Sequence, residues 1–481
     1  MLLLALVLLA APEDLASRLR HLESAGSAEA PASSPDGSRI AFVTTLFGTR
    51  QAASMASEGG YPNQLTDEPG GVIALRYAPN DPKVLIALAM RGARRRLLFI
   101  DEEGAPAGEV DPAPGDQVPG GFTRDGKRFF YAVAEGSKVS LRQLPLDTRS
   151  PAEIAPPPAA AGPQPAAPKS LALAQALAGF ISLGPPSPDG RAALAVTEQG
   201  LVLIDLSAAR GEVIVPGDGG ARFRLPRFSP DGRAVFVLTD AGRTTMGVDT
   251  ITLLGRVRKT LYAPPQNLEA YAISEDGHRL AVGAEQEGET LFSVLELPSL
   301  RPQPLPVPPS GALAPAVSGE SPMIWSRAGD RLLFGWRLSD DTTDIWAFRM
   351  GYGVPVRLTR SPRPGLPRES IARPKLVHAA APDGREFSAW LWRPAEPARP
   401  RVALVASSRR MRPVFDKRIA ALNFAGLAVL AVTEGTQATA QAWLRQAADL
   451  DAQKPLLLDF DRIDADRPDL AALVKGASTA L

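Results

Sequence analysis

Histidine is the side chain that most often acts as a general base at neutral pH, and this chain of 481 residues contains only three histidines. They are His21, His278 and His378. The sequence contains no cysteine, which excludes a thiol nucleophile, a disulfide, an iron–sulfur cluster and a thiolate zinc site. So few histidines also argue against a multi-histidine metal site. The sequence therefore predicts neither a metal ion nor a cofactor.

The three histidines offer little support for catalysis. His378 lies on a predicted strand, and no carboxylate or nucleophile surrounds it in the sequence. A general base must lie within hydrogen-bonding reach of its reaction partner, so we expect His378 to be a packed or surface residue. His278 follows a predicted turn, and we expect it to be exposed to solvent. No residue is predicted to be catalytic.

An acidic group at Asp340, Asp341 and Asp344 offers the carboxylate oxygens that calcium binds. The spacing lacks the glycine and the terminal glutamate of a calcium-binding loop. We expect instead a solvated tip between two strands. A run of three arginines at residues 94–96 is typical of the charged end of a hairpin.

The elements that would position these residues are indicated by a four-residue turn that recurs along the chain. Its full form is Ser-Pro-Asp-Gly, in which proline presets φ, aspartate can bond the backbone two residues on, and glycine accepts a positive φ. Seven copies begin at Ser34, Ala78, Thr123, Ser187, Ser229, Ser274 and Ser326. Those at Ala78 and Ser326 match the full form least well. An apolar run follows each copy, as expected for a turn that joins two antiparallel strands.

The spacing of these turns predicts the fold class. A period of roughly 40–45 residues with four short strands per unit is typical of a β-propeller blade. Seven copies predict a mainly β protein with a seven-bladed propeller over residues 30–360. Trp325, Trp336 and Trp346 are expected to pack between blades, and a tryptophan-lined pocket at the propeller mouth is the alternative.

Two proline-rich segments interrupt this pattern. Residues 151–168 are mostly proline and alanine, which cannot pair in a sheet, and we expect a loop projecting from the third blade. The segment after it, residues 171–180, fits either a short helix or an outer strand. Residues 361–374 are predicted to be a linker. Beyond it, strands alternate with helices over residues 375–481, which predicts a small parallel sheet with covering helices.

Net charge and hydropathy bear on partners and location. The net charge of +1 gives no electrostatic reason to expect nucleic-acid binding. No apolar run is long enough to span a membrane. Residues 1–11 are almost wholly apolar and resemble the hydrophobic region of a signal peptide, which predicts an exported, periplasmic or secreted protein. The alternative is a cytoplasmic protein with an apolar amino terminus.

Several segments resemble the prolyl oligopeptidase family of serine peptidases, in which a TolB-like propeller precedes an α/β-hydrolase domain. Leu-Thr-Asp-Glu-Pro-Gly-Gly-Val at residues 65–72 is similar to the family's first-blade exit. Residues 373–386, and Ala-Trp-Leu-Trp-Arg-Pro at residues 389–394, look like the strands leading into its hydrolase domain. Residues 412–431 resemble its first hydrolase helix and the strand that follows. The resemblance covers residues 30–433 and implies a serine peptidase.

The sequence departs from this family where the catalytic groups should be. A His-Gly-Gly type loop, whose amides hold the oxyanion, is replaced by Ser407-Ser408-Arg409-Arg410, a degenerate oxyanion loop. The serines after residue 370 are Ser388, Ser407, Ser408 and Ser478, and none of them lies in a G-x-S-x-G elbow. No histidine follows His378. The region beyond residue 375 is therefore predicted to be a hydrolase remnant without a catalytic triad.

Three functions follow from these patterns. The first is a non-catalytic relative of the prolyl oligopeptidases that binds a peptide or protein at a propeller face in the cell envelope. The second is a working serine peptidase whose triad is supplied elsewhere or was lost by truncation. The third is a TolB-like periplasmic scaffold. The sequence does not predict an oligomeric state.

Overall fold

The computed structural model of the protein describes most of the chain. The described residues are 14–102, 105–155, 171–306, 308–317, 319–380, 384–407, 411–433, 436–464 and 468–479. The predicted signal peptide at residues 1–11 lies outside these ranges, as does most of the proline- and alanine-rich insertion, residues 156–168.

A first helix and three four-stranded blades make up the amino-terminal part. Helix α1 (Leu15–Glu23) begins after Asp14, whose carboxylate accepts a hydrogen bond from the amide of Ser17 at 2.6 Å. Blade one contains β1 (Ala28–Ser33), β2 (Arg39–Thr44), β3 (Gln51–Ala56) and β4 (Asn63–Gln64). Blade two contains β5 (Val72–Ala78), β6 (Asp81–Arg91), β7 (Arg94–Asp101) and β8 (Ala105–Glu109). Blade three contains β9 (Asp116–Phe122), β10 (Arg128–Glu135), β11 (Lys138–Pro145) and β12 (Ala152–Glu153).

The next three blades repeat this plan. Blade four contains β13 (Leu171–Ala172), helix α2 (Leu173–Ala176), β14 (Phe180–Leu183), β15 (Ala192–Thr197), β16 (Gly200–Asp205) and β17 (Arg210–Pro216). Strand β13 pairs with β17 at the outer edge, so the segment after the insertion forms both a strand and a helix. Blade five contains β18 (Phe223–Phe228), β19 (Ala234–Thr239), β20 (Gly247–Thr252) and β21 (Arg258–Tyr262). Blade six contains β22 (Asn267–Ile273), β23 (Arg279–Gln286), β24 (Glu289–Glu296) and β25 (Pro302–Pro304).

Blade seven differs from the others in its inner strand. It contains β26 (Gly311–Leu313), β27 (Met323–Trp325), β28 (Arg331–Leu338), β29 (Thr343–Arg349) and β30 (Val356–Arg357). Both β26 and β27 pair with β28, so the inner strand is split by the residues between them. The seven sheets confirm the seven-bladed propeller predicted from the repeated turns.

The blades stack face to face, which explains why their middle strands are apolar on both faces. Successive residues of a strand point to opposite faces of the sheet. Phe129 and Phe130 on β10 are adjacent, and both are buried. Phe129 packs with Leu97 of blade two, whereas Phe130 packs with Ala195 of blade four. Each blade therefore buries its own two faces only when both neighbours are present.

The repeated turns are held by one local hydrogen-bond pattern. In blade five the Ser229 hydroxyl donates to Asp231 at 2.5 Å, and the amide of Arg233 donates to the same carboxylate oxygen at 3.0 Å. These bonds lower the pKa of Asp231, and Gly232 closes the turn at φ +70°. The same hydroxyl-to-carboxylate bond joins Ser34 to Asp36, Thr123 to Asp125, Ser187 to Asp189 and Ser274 to Asp276. The turns therefore set the strand reversal locally, which is why the sequence reveals them.

The ring closes by packing between the first and last blades, and each described blade draws its strands from its own part of the chain. Ile40 and Phe42 of blade one share an apolar cluster with Leu333 of blade seven. The carboxylate of Glu58 in blade one pairs with Arg331 and Arg349 of blade seven.

A mixed five-stranded sheet follows the propeller. Its strands are β31 (Pro374–Ala380), β32 (Glu386–Trp392), β33 (Arg401–Ser407), β34 (Leu427–Thr433) and β35 (Asp451–Asp459), in the order β31-β32-β34-β33-β35. Strands β34, β33 and β35 form the predicted small parallel sheet, and β31 and β32 extend it by two antiparallel strands. The helices are α3 (Lys417–Phe424), α4 (Gln437–Leu444) and α5 (Leu470–Thr479). Helix α1 packs on α3 and α5, so both ends of the described chain meet here.

The acidic group in blade seven is buried, so the prediction of a solvated tip is wrong. Asp340, Asp341 and Asp344 are each no more than 3% exposed. Asp344 accepts hydrogen bonds from the Thr359 hydroxyl at 2.6 Å and the Ser361 amide at 2.9 Å. Burial raises the pKa of Asp344.

Arginines from the end of blade seven and from the linker neutralise these aspartates. Arg357 pairs with both Asp341 and Asp344, and Arg363 pairs with Asp341 at 2.8 Å. Burial alone would raise the pKa of Asp341, but hydrogen bonds from Arg357 and Thr342 outweigh it and lower that pKa. The remaining carboxylate, of Asp340, accepts from Arg368 and Arg373. The linker is thus clamped to the propeller by charge pairs, and the carboxylates that calcium could have bound are paired with arginines.

The Asp344→Ala substitution tests this clamp. It removes one of the two buried carboxylates that pair with Arg357 and an acceptor of the Thr342, Thr359 and Ser361 hydroxyls. We therefore expect the free energy of unfolding to fall by about 3 kcal/mol, measured by urea denaturation. Asp67, which is exposed, provides the matched control, and Asp67→Ala should change that free energy by less than about 0.5 kcal/mol. Equal effects of the two substitutions would contradict the clamp.

Candidate functional site

A cavity of about 490 Å³ lies at the centre of the propeller ring. All seven blades contribute to its wall through their inner strands or the residues that follow them. Representative lining residues are Ala32, Tyr77, Phe122, Pro185, Phe228, Tyr271 and Trp325, one from each blade in order. The cavity is therefore a product of the closed ring, and no blade could form it alone.

The cavity opens on the face that carries the repeated turns. Turn residues Arg124, Ser229 and Ser326 line its rim. The α/β sheet lies against the opposite ends of the strands, where the Trp390 indole donates to the Glu287 carbonyl at 3.0 Å. The amide of Phe415 likewise donates to the carbonyl of Leu338 at 2.7 Å. The mouth of the cavity thus faces away from the α/β domain.

Residues 314–322, between the two halves of the blade-seven inner strand, cross the centre of the ring. We call these residues the crossing segment; Ser318 within it lies outside the described residues. Glu320 accepts a hydrogen bond from Nε of Arg76, in blade two, at 2.9 Å. The Gly319 carbonyl accepts from Arg227, in blade five, at 3.4 Å. A Cβ on Gly319 would lie 3.0 Å from the carbonyl oxygen of Leu183, in blade four.

Cationic side chains outnumber carboxylates around this cavity. Its wall contains Arg76, Arg124, Arg227, Arg327, Glu275 and Glu320. Four arginines against two glutamates give a local charge of +2. Glu320 pairs with Arg76, and Glu275 lies 3.5 Å from Arg327.

Arg227 has no carboxylate partner among the described residues. Burial, followed by the nearby charge of Arg76, lowers the pKa of Arg227 to about 10. Arg227 therefore remains a cation at neutral pH, and its one hydrogen bond, to the Gly319 carbonyl, is long.

Sequence reasoning missed Arg76 and Arg227, although the repeat contained a signal. Both arginines stand two residues before the first residue of their turns, Ala78 and Ser229. The equivalent residues of the other blades are uncharged: Ala32, Gly121, Pro185, Ala272 and Ile324. Aligning the repeats by their turns would have shown two cations on inner strands.

The predicted degenerate oxyanion loop is described only in part. Ser407 ends β33, is buried, and donates a hydrogen bond to Asp461 at 2.7 Å. Ser408, Arg409 and Arg410 lie outside the described residues. The Ser407 hydroxyl thus donates to a carboxylate, which is an acceptor and gives no oxyanion stabilisation.

The turn after β35 also differs from a nucleophile elbow. An elbow holds its serine in a strained conformation between a strand and a helix. Here β35 ends in a short 3₁₀ turn, Phe460–Arg462. Among the described residues from 371 onward, positive φ is found only at glycines. This part of the chain therefore shows no strained nucleophile.

His378 has partners that its neighbours in the sequence did not reveal. Its Nδ1 lies 2.9 Å from the Ser388 hydroxyl oxygen, since the two residues stand directly opposite each other on β31 and β32. Its Nε2 lies 3.5 Å from a carboxylate oxygen of Glu287 in blade six. The strand register supplies the serine and the propeller supplies the carboxylate, and neither is adjacent to His378 in sequence.

The surroundings of this pair differ from those of an efficient active site. The His378 side chain is 60% exposed, and Ser388 is also exposed. Acyl-transfer sites gain most from oxyanion donors in a setting that excludes water. A hydrogen bond between directly opposite residues is also an ordinary cross-strand contact.

The exposure of His278 agrees with its expected position in solvent.

No group of three or more histidine, cysteine, aspartate or glutamate residues suited to a metal ion is present among the described residues. Within the same residues, no helix has both the length and the hydropathy needed to cross a bilayer.

No protein-family model and no curated protein matches the sequence. Solved structures do match the fold. A puromycin-hydrolysing peptidase from Mycobacterium tuberculosis superposes with a TM-score of 0.70 at 16% identity, covering 94% of this chain and 75% of that chain. A structure from a study of two prolyl endopeptidases superposes with a TM-score of 0.65 at 16% identity, covering 87% of this chain and 62% of that chain. A puromycin hydrolase superposes with a TM-score of 0.65 at 16% identity, covering 98% of this chain and 74% of that chain. In fold, the chain is therefore similar to the prolyl endopeptidase and puromycin hydrolase family.

Proposed function

We propose that the protein binds a peptide or protein ligand in the central cavity of its propeller, and that it is a non-catalytic relative of the prolyl oligopeptidases. The cavity carries this proposal. Its volume of about 490 Å³ falls within the range of roughly 300–1,000 Å³ typical of ligand sites. Its wall combines aromatic side chains, such as Tyr77 and Trp325, with a few charged groups, as binding pockets do.

The chemistry of the α/β domain supports binding rather than peptide hydrolysis. The turn after β35 shows no strained nucleophile, and Ser407 donates to Asp461. The apolar residues 1–11 fit export, and we place the protein in the cell envelope as part of this proposal.

A serine peptidase is the second candidate, and the contact between Ser388 and His378 favours it. His378 could accept the proton of the Ser388 hydroxyl, and Glu287 could stabilise the resulting imidazolium. These are the roles of a serine, histidine and acid triad. The candidate requires that Ser388 act as a nucleophile although both it and His378 are exposed.

Filling the cavity tests the binding proposal. Ala316 lies in the crossing segment and lines the cavity, so Ala316→Trp should occlude it. We expect the purified protein to retain members of a randomised peptide pool, measured by mass spectrometry after washing, and the variant to retain none. Ala178→Trp, at an exposed position of blade four outside the cavity, should retain the same peptides as the wild type. Equal retention by both variants would show that the cavity is not the binding site.

A fluorophosphonate probe separates the two candidates, because it labels activated serines covalently. We expect labelling of the wild-type protein to be no greater than that of Ser388→Ala. An active serine hydrolase in the same reaction confirms that the probe works. Labelling of the wild type that disappears in both Ser388→Ala and His378→Ala would establish Ser388 as a nucleophile and overturn the non-catalytic assignment.

A further inference from the structure

The chemical nature of the ligand can be inferred from the charges that the cavity leaves unbalanced. This inference rests on the proposed binding function. Arg227 is a cation in the cavity wall whose single hydrogen bond, to the Gly319 carbonyl, is 3.4 Å long. Protein N–H···O bonds are most often about 2.9–3.0 Å long, so this donor group is incompletely satisfied. A partly buried cation without an ion-paired carboxylate of its own is costly, and an anion supplied from outside would relieve that cost.

The carboxylate of Glu320 occupies the position that such an anion would take. Its Oε2 accepts hydrogen bonds from both Nε and Nη2 of Arg76, and such charge-assisted bonds are stronger than neutral ones. The positive charge of Arg227 is also close enough to Glu320 for the two to attract each other. One carboxylate therefore serves two guanidinium groups.

The residue that bears this carboxylate stands outside the regular strands. Glu320 lies in the crossing segment, between β26 and β27, and not within a paired strand of blade seven. Arg76 and Arg227 lie on β5 and β18, which are fixed in their blades by ladder hydrogen bonds. The cationic site thus belongs to the rigid wall, whereas the carboxylate is carried by a connecting segment.

We propose that the central cavity binds a carboxylate of an acidic peptide between Arg76 and Arg227, and that Glu320 is an internal stand-in which this carboxylate displaces. Two sources share this chemistry: an aspartate or glutamate side chain, and a free carboxyl terminus. The excess positive charge of the wall, with Arg124 and Arg327 at the rim, attracts either one toward the mouth.

Competition by Glu320 gives the proposal a distinctive consequence. An internal carboxylate is present at a high effective concentration, so it lowers the apparent affinity of the site for an external one. Removing the charge of Glu320 should therefore strengthen ligand binding, whereas removing the charge of Arg227 should weaken it. Damage to the fold would weaken binding in both variants.

Isothermal titration with three peptides measures these effects. One is an acetylated, amidated peptide of alternating glycine and glutamate, the second replaces each glutamate by glutamine, and the third is pentaglycine with a free carboxyl terminus. We expect the wild type to bind the glutamate peptide, the pentaglycine or both at least tenfold more tightly than the glutamine peptide. Comparing the first and third peptides identifies the source of the carboxylate.

The variants assign the site to named residues. Arg227→Gln should weaken binding of the carboxylate peptide at least tenfold, Arg227→Lys should restore part of the loss, and Glu320→Gln should tighten binding severalfold. Arg233→Gln is the matched control, because Arg233 is exposed and lies outside the cavity wall; it should bind as the wild type does.

Three results would each overturn the inference. The first is equal binding of the glutamate, glutamine and pentaglycine peptides by the wild type. The second is a loss of affinity in Glu320→Gln, and the third is equal affinities of Arg227→Gln and Arg233→Gln. If peptides bind without regard to charge but Ala316→Trp retains none, the cavity remains the binding site and only the carboxylate preference fails.

Discussion

The ion pair between Arg76 and Glu320 is the interaction on which the interior of the ring depends. It joins blade two to a segment that starts and ends in blade seven. Because that segment crosses the centre, it forms part of the wall of the central cavity. The carboxylate of this pair also attracts Arg227, and the wall keeps a net positive charge. The shape and the charge of the proposed site thus both depend on the ion pair between Arg76 and Glu320.

Blade seven connects this site to the rest of the molecule. Its split inner strand releases the crossing segment, and its outer face packs against blade one to close the ring. Its buried aspartates hold the arginines of the linker that leads to the α/β sheet. Buried charge pairs of this kind fix a unique arrangement more than they add stability. The position of the crossing segment is therefore tied to the placement of the α/β domain through one blade.

The sequence predicted those features that are set by local chemistry. In five of the turns the hydroxyl, carboxylate and glycine act within five residues, so the repeat and the seven blades could be predicted. Contacts between distant residues could not. Asp340 meets Arg373 across 33 residues, and Arg76 meets Glu320 across 244. The Ser388 partner of His378 required the register of two strands, and its Glu287 partner required the placement of the domains. The residues around His378 in the sequence therefore revealed neither partner.

In the proposed binding mode, the ring provides a site for a carboxylate, which Glu320 occupies until a ligand arrives. The decisive measurement is a crystal structure of the protein with a bound glutamate-containing peptide. We expect a peptide carboxylate within hydrogen-bonding distance of both Arg76 and Arg227, with the Glu320 side chain turned away from Arg76. A peptide bound beside Ser388 and His378, with the Arg76–Glu320 pair intact, would contradict it.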